Sequence, residues 1–288
     1  MKKALAAIIC LGVLSLLPSV AQATECGQFY LGGQAPKMAV PIEMNKEICY
    51  SQYAIGYHYN TKSALYAAQT LTKRNVLAAR QLDRLDNFHD DPNIPSPYRV
   101  DEADYRGSMM DRGHLAPNKD FSDPQAQYES FSMANMVPQL HAHNAGIWLG
   151  IETAVRNMAV KHGKIQVVTG GVYTDSTRKI RNNIPVPSAL FKAVYIDNGK
   201  QAPFAAAYVS KNDNSGSYQV VSINKLTTMI GMDVFPSANA SVKAAAGDVF
   251  KPSKSGYAKG SSGSHEAFNT LSDMGTQYIK KSLYKHFN

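Results

Sequence analysis

The residues able to do chemistry crowd into one stretch, Asp104-Tyr-Arg-Gly-Ser-Met-Met-Asp-Arg-Gly-His-Leu-Ala-Pro117, followed by Asn135-Met-Val-Pro-Gln139 and His143-Asn-Ala-Gly-Ile-Trp-Leu-Gly-Ile-Glu152. His114 carries an imidazole whose ordinary pKa of about 6.5 leaves it mostly neutral at pH 7 and able to take a proton from water. Taken alone, such a histidine is as readily a buried, hydrogen-bonded one. Asn144, thirty residues on, offers a neutral carbonyl oxygen, a hard donor of the kind Mg2+ accepts while keeping several of its waters. Its ordinary role at a helix start would be an N-cap. Glu152 follows two helical turns later, about 12 Å along the axis, which makes direct ligation of one cation by both side chains awkward. It is therefore assigned to metal-bound waters, with a solvent-facing helical carboxylate as the bland alternative.

The tetrapeptide Asp111-Arg112-Gly113-His114, with Asn135, Asn144 and Glu152 in that order and spacing, resembles the DNA/RNA non-specific endonucleases with a ββα-metal site, which include secreted bacterial nucleases and mitochondrial endonuclease G. The likeness is strongest between Tyr105 and Glu152 and extends from the loop near Arg84 through the strand-rich second half. It implies hydrolysis of DNA and RNA to 5′-phosphate products with little sequence preference. In that reading His114 is the general base, Asn144 the direct ligand of one Mg2+ (Mn2+ being the alternative), and Glu152 a ligand through water. These types belong together because phosphodiester hydrolysis needs an activated water, neutralisation of the growing phosphorane charge and help for the departing 3′-oxygen.

Arg112 and Arg84 stand where the resemblance implies phosphate clamps, and their planar forks suit bidentate phosphate contact. Arg84 lies in Arg-Leu-Asp-Asn-Phe-His-Asp-Asp-Pro92, similar to the family's Arg-x-x-x-Phe-x-x-Asp pattern. Arg80 is its close alternative and Arg106 a weaker one, and an exposed surface ion pair is the commoner fate of any single arginine. Asn135 is expected to support the site by hydrogen-bonding the segment that presents Asn144. Asp111 reads as structural, since a second carboxylate on the metal is not what the resemblance implies. His141 and His143 invite a zinc reading, but no third ligand, HExxH or carboxylate triad accompanies them, so they are taken as ordinary polar residues near the cleft.

These groups need rigid elements beneath them. Tyr53 to Tyr59, Ala64 to Ala68, Lys164 to Thr169, Ala189 to Ile196 and Phe204 to Val209 read as strands, being β-branched, aromatic or small and bounded by turn formers. The stretch from Leu82 to Arg106 holds Asn87, Asp90, Asp91, Pro92, Pro95 and Pro97, a density that excludes a regular element and points to a functional surface loop. A helix starting near Asn144 would carry Asn144, Trp148 and Glu152 on one face. A short helix is expected at Ile223 to Gly231, a Gly/Ser-rich loop with Lys254 and Lys259 at Pro252 to Ser264, and a last amphipathic helix from His265 to Phe287. No repeat or linker divides the chain. The expected fold is a mixed α/β domain of the α+β kind, an antiparallel sheet flanked by helices with a ββα unit carrying the site.

Met1-Lys-Lys, the apolar run Ala4 to Leu17 and the Ala21-Gln22-Ala23 pattern have the three parts of a bacterial secretory signal. The expected organisation is a leader over residues 1–23 and one nuclease domain over 24–288, exported to the periplasm or secreted. Loss of Lys2 and Lys3 would take the formal charge from +8 to +6, still basic and suited to polyanions such as DNA and RNA. Cys26 and Cys49 would then be the two remaining cysteines, and in an oxidising compartment they are expected to pair; a redox or metal role lacks both a CxxC spacing and a neighbouring histidine. Two other functions fit the same composition: a basic, exported nucleic-acid-binding protein without turnover, and a hydrolase of small phosphodiesters.

Overall fold

The computed structural model describes residues 25–39, 42, 44–174 and 178–253. The leader read at 1–23, Lys254, Lys259 and the rest of the Gly/Ser-rich loop after Ser253, and the helix expected from His265 to Phe287 lie outside the described residues. The strand-forming runs pair into one seven-stranded antiparallel sheet. Its strands are β2 (Lys46–Cys49), β3 (Ala54–His58), β4 (Ser63–Thr72), β7 (Lys164–Val172), β8 (Ala189–Ile196), β9 (Phe204–Lys211) and β10 (Tyr218–Val221), in the order β10-β9-β8-β7-β4-β3-β2. Two short pairs lie apart from it: β1 (Lys37–Met38) with β11 (Met232–Asp233), and β5 (Met110–His114) with β6 (Met136–Leu140).

Successive side chains of a strand point to opposite faces, and here both faces are covered. Leu65, Val168, Phe191 and Ala207 pack beneath α4 (Ile223–Ile230), where Leu226, Met229 and Ile230 complete the layer. Ile55, Val167, Leu190 and Tyr208 pack instead against Ile151, Val155 and Met158 of α3 (Leu149–His162), and Val137 of β6 joins them. The central strands are therefore apolar almost throughout, which is why they could be recognised without a clean alternation. Each such side chain taken fully from water contributes about 1.5–3 kcal/mol. The second face is the important one for function, because it seats the β5–β6 pair and α3.

The helices begin and end where their side chains dictate. Thr72 caps α1 (Lys73–Ala79) by accepting from Asn75 N at 3.1 Å, and Asp123 does the same for Ala126 N at the start of α2 (Pro124–Ser130). Ser222 opens α4 through Lys225 N, and Gly231 at φ 66° closes it. The remaining helix is the short α5 (Ala240–Ala244). The expected loop between Leu82 and Arg106 contains only two single 3-10 turns, Ser96–Tyr98 and Glu102–Tyr105. It is anchored by buried Asp91, which accepts from Tyr50 Oη and, at 2.6 Å, from Ser132 Oγ. No helix among the described residues is long and apolar enough to cross a membrane.

Cys26 and Cys49 are joined, with their Cα atoms 5.3 Å apart and a sequence separation of 23. The bridge fastens the N-terminal turn to β2, the edge strand of the sheet. Non-reducing peptide mapping should recover the two cysteines in one cross-linked fragment. The Cys26→Ala/Cys49→Ala variant should lose about 2–4 kcal/mol of unfolding free energy in denaturant titration; unchanged stability would show that the bridge adds nothing.

Candidate active site

The β5–β6 pair places Asp111 opposite Gln139, Gly113 opposite Val137 and His114 opposite Met136. At position 113 only glycine fits. A Cβ there would stand 1.8 Å from Gln139 Oε1 and 2.9 Å from Gln139 Cβ. Gln139 is fully buried and cannot easily swing away, because its Nε2 donates to His143 Nδ1 at 2.8 Å. His143 thus carries its proton on Nε2 and donates it to Ser210 Oγ at 3.1 Å, tying β6 to β9. This corrects the expectation that both histidines of His141-Ala-His143 are ordinary groups near the cleft. His143 is a buried structural link whose pKa is lowered by burial to about 4, whereas His141 is exposed and bonds Asp111 at 2.9 Å.

His114 ends β5 and is 8% exposed. The ring meets Phe131 edge-on at 5.0 Å between centroids and Phe88 at 5.9 Å, and its buried Nε2 has no hydrogen-bond partner among the described residues. Burial first, then the positive charges of Arg84 and Arg112, lower its pKa from 6.5 to about 3. Arg112 pairs with Glu102 and lies over the Phe88 ring at 3.9 Å. Arg84 pairs with Asp86 at 2.7 Å, reaches Asn118 Oδ1 at 3.4 Å and stands 5.3 Å from the Phe131 ring centre. Both arginines line a cleft of about 530 Å3 together with Arg106, Asp111 and Asn144. Arg80 instead closes α1 and is not among the residues lining that cleft.

Asn144 does not begin an ordinary helix. Residues His143–Trp148 form a π-helical turn, and α3 starts only at Leu149. Gly146, at φ −98° and ψ −114°, breaks the helical path between Asn144 and Trp148 and turns their side chains apart, which corrects the expectation of one shared face. Trp148 is wholly buried in the core, 5.6 Å from the His143 ring, while Asn144 lines the cleft. Asn144 Nδ2 donates to Asp111 Oδ2 at 2.9 Å. Asp111 therefore holds the amide by its nitrogen and leaves its carbonyl oxygen as the donor a cation would use.

Asn135 also sits differently from expectation. Its Nδ2 donates to the carbonyls of Ala116 (2.8 Å) and Ser130 (2.9 Å), and its Oδ1 accepts from Ala116 N (3.0 Å). It thus pins the chain just after His114, not the segment presenting Asn144, and has no free amide group to offer a substrate. Being fully buried with its amide already engaged, it supports the site without facing the cleft.

Glu152 lies in the first turn of α3 with its side chain 11% exposed, 3.9 Å from Arg156 Nη1, and burial raises its pKa. Behind it stands a buried polar cluster that sequence reasoning missed. Arg156 Nη1 donates to Asp120 Oδ1 at 3.2 Å, Gln69 Nε2 to Asp120 Oδ2 at 2.6 Å, and Lys192 Nζ to Thr169 Oγ1 at 2.7 Å and Leu115 O at 3.2 Å. Arg156 could have been found as the residue one turn beyond Glu152, and Lys192 as the lone charge in the apolar run Ala-Leu-Phe-Lys-Ala-Val-Tyr-Ile196. The oxygens of Asn144 and Glu152 are hard donors that fit a divalent cation of the Mg2+ type. Among the described residues the three-ligand grouping of the kind soft metals prefer is Cys26, Glu47 and Cys49, and its sulfurs are spent in the disulfide.

An antiparallel sheet carrying a β-strand pair and a helix, with an imidazole, two arginines and oxygen donors at their junction, defines the ββα class of sites. Residues 31–241 match the model of the DNA/RNA non-specific endonucleases, and the chain belongs to that family. Nuclease C1 of Cunninghamella echinulata var. echinulata is 30% identical over 173 residues, 56% of this chain and 69% of that protein. The mitochondrial Nuclease 1 of Schizosaccharomyces pombe is 30% identical over 177 residues, and the mitochondrial Nuclease EXOG of Homo sapiens 30% over 218. These stretches cover 56% and 68% of this chain but only 55% and 58% of the two relatives, so the chain spans little more than half their length. A crystal structure of an EndoG/EndoGI complex superimposes with a TM-score of 0.62 at 21% identity, over 71% of this chain and 91% of that one; the likeness is one of fold.

The expectation of an exported, periplasmic or secreted protein is overturned by these comparisons, in which curated relatives are named as mitochondrial nucleases and not as periplasmic or secreted ones. The Lys-Lys and apolar-run reasoning behind it rested on residues 1–23 alone, which the family likeness does not include.

The close approach at Gly113 is testable. Gly113→Ala should cost about 1–3 kcal/mol of stability by overpacking, and combining it with Gln139→Ala should cost less than the sum of the two single variants, because the obstacle is gone. Additive losses in urea titrations would remove Gln139 as the reason for the glycine.

Proposed function

We propose that the chain is a sugar-non-specific endonuclease that hydrolyses the phosphodiester bonds of DNA and RNA, with His114 as general base and one Mg2+ held directly by Asn144 and through water by Glu152. The observation that carries this reading is the state of His114: a dry, neutral imidazole whose Nε2 has no partner among the described residues, lying behind Arg84 and Arg112, which line the cleft together with Asn144. A neutral ring can take a proton; an imidazolium cannot. Family membership supports nuclease chemistry.

In this mechanism a water held against His114 gives up its proton to the imidazole as its oxygen attacks phosphorus. Arg84 and Arg112 neutralise the charge that grows on the non-bridging oxygens, an effect strengthened where water is excluded. The 3′-oxygen departs and takes a proton from solvent, leaving the phosphate on the 5′-oxygen of the nucleotide downstream of the cut. A bound Mg2+ would supply Lewis-acid stabilisation of that leaving oxygen, and Mn2+ is the natural substitute. Asp111 keeps the Asn144 amide turned so that its oxygen is available. Contacts of this kind go to phosphate and carry no base information, which accounts for activity with little sequence preference.

Plasmid and RNA should both be degraded in Mg2+ and spared in EDTA; resistance of both substrates in Mg2+ and in Mn2+ would defeat the proposal. His114→Ala should lower turnover by at least about 100-fold with nucleic-acid binding retained, and a variant of near-native rate would take His114 out of the mechanism.

The pH behaviour follows from the sign of the shift. Folding lowers the imidazole pKa from 6.5 to about 3, so the unfolded chain binds that proton first. The His114 contribution to stability is therefore complete above pH 6.5 and is lost as pH falls from there towards about 3. The acid limb of kcat/KM, which reports the free enzyme, should accordingly lie below pH 6.5. A limb at or above that value would mean that another group controls it.

Asn144 and Arg84 should fail in different ways. Asn144→Ala should be nearly inactive at ordinary Mg2+ and recover in part as Mg2+ is raised. Arg84→Ala should bind DNA less tightly whatever the sequence, with a log-log salt slope shallower by about one, and excess Mg2+ should not restore it. Metal rescue of Arg84→Ala, or native Mg2+ use by Asn144→Ala, would reverse the assignment.

A further inference from the structure

Lys192 is a lysine where the fold has no need of one. It sits in the middle of β8, is 1% exposed, and is flanked by Phe191 and Ala193, both fully buried. An ammonium withdrawn from water is costly unless its protons and its charge are both answered. Here both are. Two protons go to Thr169 Oγ1, its cross-strand neighbour on β7, and to the carbonyl of Leu115. The charge faces Glu152 and Asp120, with Arg156 opposing it, and the Trp148 ring lies 5.3 Å away.

Two of these partners matter for the reaction. Leu115 is the residue after His114, and its N donates to Asn135 O at 3.0 Å. The peptide that follows the general base is thus gripped from both sides, by Asn135 from the β5–β6 unit and by Lys192 from the main sheet. Glu152 stands on α3, the helical part of the ββα unit, and Lys192 Nζ lies 5.3 Å from the ring of Trp148, the residue that precedes α3 and stands one turn before Glu152; from there its charge acts on the Glu152 carboxylate. One side chain of the scaffold therefore meets both halves of the site. A methionine of similar length would satisfy the packing demand; it would satisfy neither of these.

We propose that Lys192 is a positioning residue of the active site, fixing the backbone that carries His114 and the carboxylate of Glu152 relative to one another from the central sheet. This rests on the roles given to His114 and Glu152 above. The role is indirect, since Lys192 touches neither the cleft nor substrate. Removing it should loosen the geometry of the chemical step while leaving Arg84 and Arg112, and hence substrate binding, as they are. Displacements of this sort outside the reacting groups cost up to about 100-fold in rate.

The test is Lys192→Met in the full chain, with Lys192→Gln as a second variant should methionine fail to fold, measured beside the parent. Cooperative unfolding confirms that the folded fraction is intact. The expected result is kcat lowered by roughly 10-fold or more with KM for plasmid DNA and metal-free DNA affinity within about twofold of the parent. Two further readouts separate positioning from general weakening. Mg2+ affinity by calorimetry without nucleic acid should weaken, and the His114 ring resonances should move while those of His58 stay. Glu152→Gln should also be non-additive with Lys192→Met in kcat. Native kcat in an active parent, a loss matched by a rise in KM, or strict additivity with Glu152→Gln overturns the inference. A parent without nuclease activity would defeat the proposed function instead, and the calorimetric and ring-resonance comparisons would still decide whether Lys192 orders His114 and Glu152.

Discussion

Two guanidinium groups and two phenyl rings close around the His114 imidazole, and the desolvation and like-charge field they impose keep its second proton away. That arrangement is unfavourable in itself. Three groups that can all be cationic occupy one wall, and most of the surrounding structure can be understood as what makes this tolerable. Glu102 and Asp86 each hold one arginine, through Arg112 Nη1 and Arg84 Nε respectively. Phe88 and Phe131 offer ring faces to the same guanidinium planes, an attraction of about 0.5–1 kcal/mol at exposed sites. Arg84, Arg106 and Arg112 are thus matched in the cleft lining by Asp86, Glu102 and Asp111, so a phosphate diester would have to take the place of a carboxylate there.

Holding a dry histidine in place also demands a backbone that does not move, and hydrogen bonds supply it. Asn135 spends its amide on the N–H and the carbonyl of Ala116 and on the carbonyl of Ser130. Gln139 fills the space left by Gly113 and continues through His143 to Ser210 on the main sheet. Each of these groups is buried, so losing one partner would leave another unsatisfied at about 1–3 kcal/mol. The β5–β6 pair, too short to be stable alone, is thereby fastened to a seven-stranded sheet that is. The sheet's second face has to be apolar for packing yet admit Gln69, Thr169, Lys192 and Ser210 where the site needs anchoring.

How much of this could be seen in the sequence follows from whether a signal is local. The strands at Ala189–Ile196 and Phe204–Lys211 were readable because burial on both sides makes them apolar from end to end, and α4 because Ser222 and Gly231 mark its limits. The candidate site residues from Asp111 to Glu152 could be proposed because they crowd into one short segment, and Asp111, Arg112 and Asn144 of that segment line one cleft. What escaped depends on contacts between distant positions. The kink at Gly146 within His143–Trp148 is not encoded by periodicity, so the shared face of Asn144 and Trp148 was drawn wrongly. Asn135 was given the wrong segment to support because nothing local says that its amide reaches residue 116. Asp120 and Lys192 are 72 positions apart, and only the packing of β8 against the ββα unit brings their charges together.

The carboxylates on the two arginines also bear on how the site should discriminate. An arginine already paired with Glu102 or Asp86 must exchange that partner for a phosphate, so its net gain is the difference between two similar charge-assisted contacts and is small. Both pairs are partly exposed, with arginine side chains 47% and 34% accessible, and solvent screening reduces the difference further. Ground-state affinity for any one phosphate should thus be modest, and tight binding would have to come from many backbone contacts along a polymer. The balance changes in the transition state, where an additional negative charge accumulates on the phosphorus oxygens while the carboxylates are unaltered. The arginines are then worth more to the phosphorane than to the diester, which is the condition for binding energy to appear as rate.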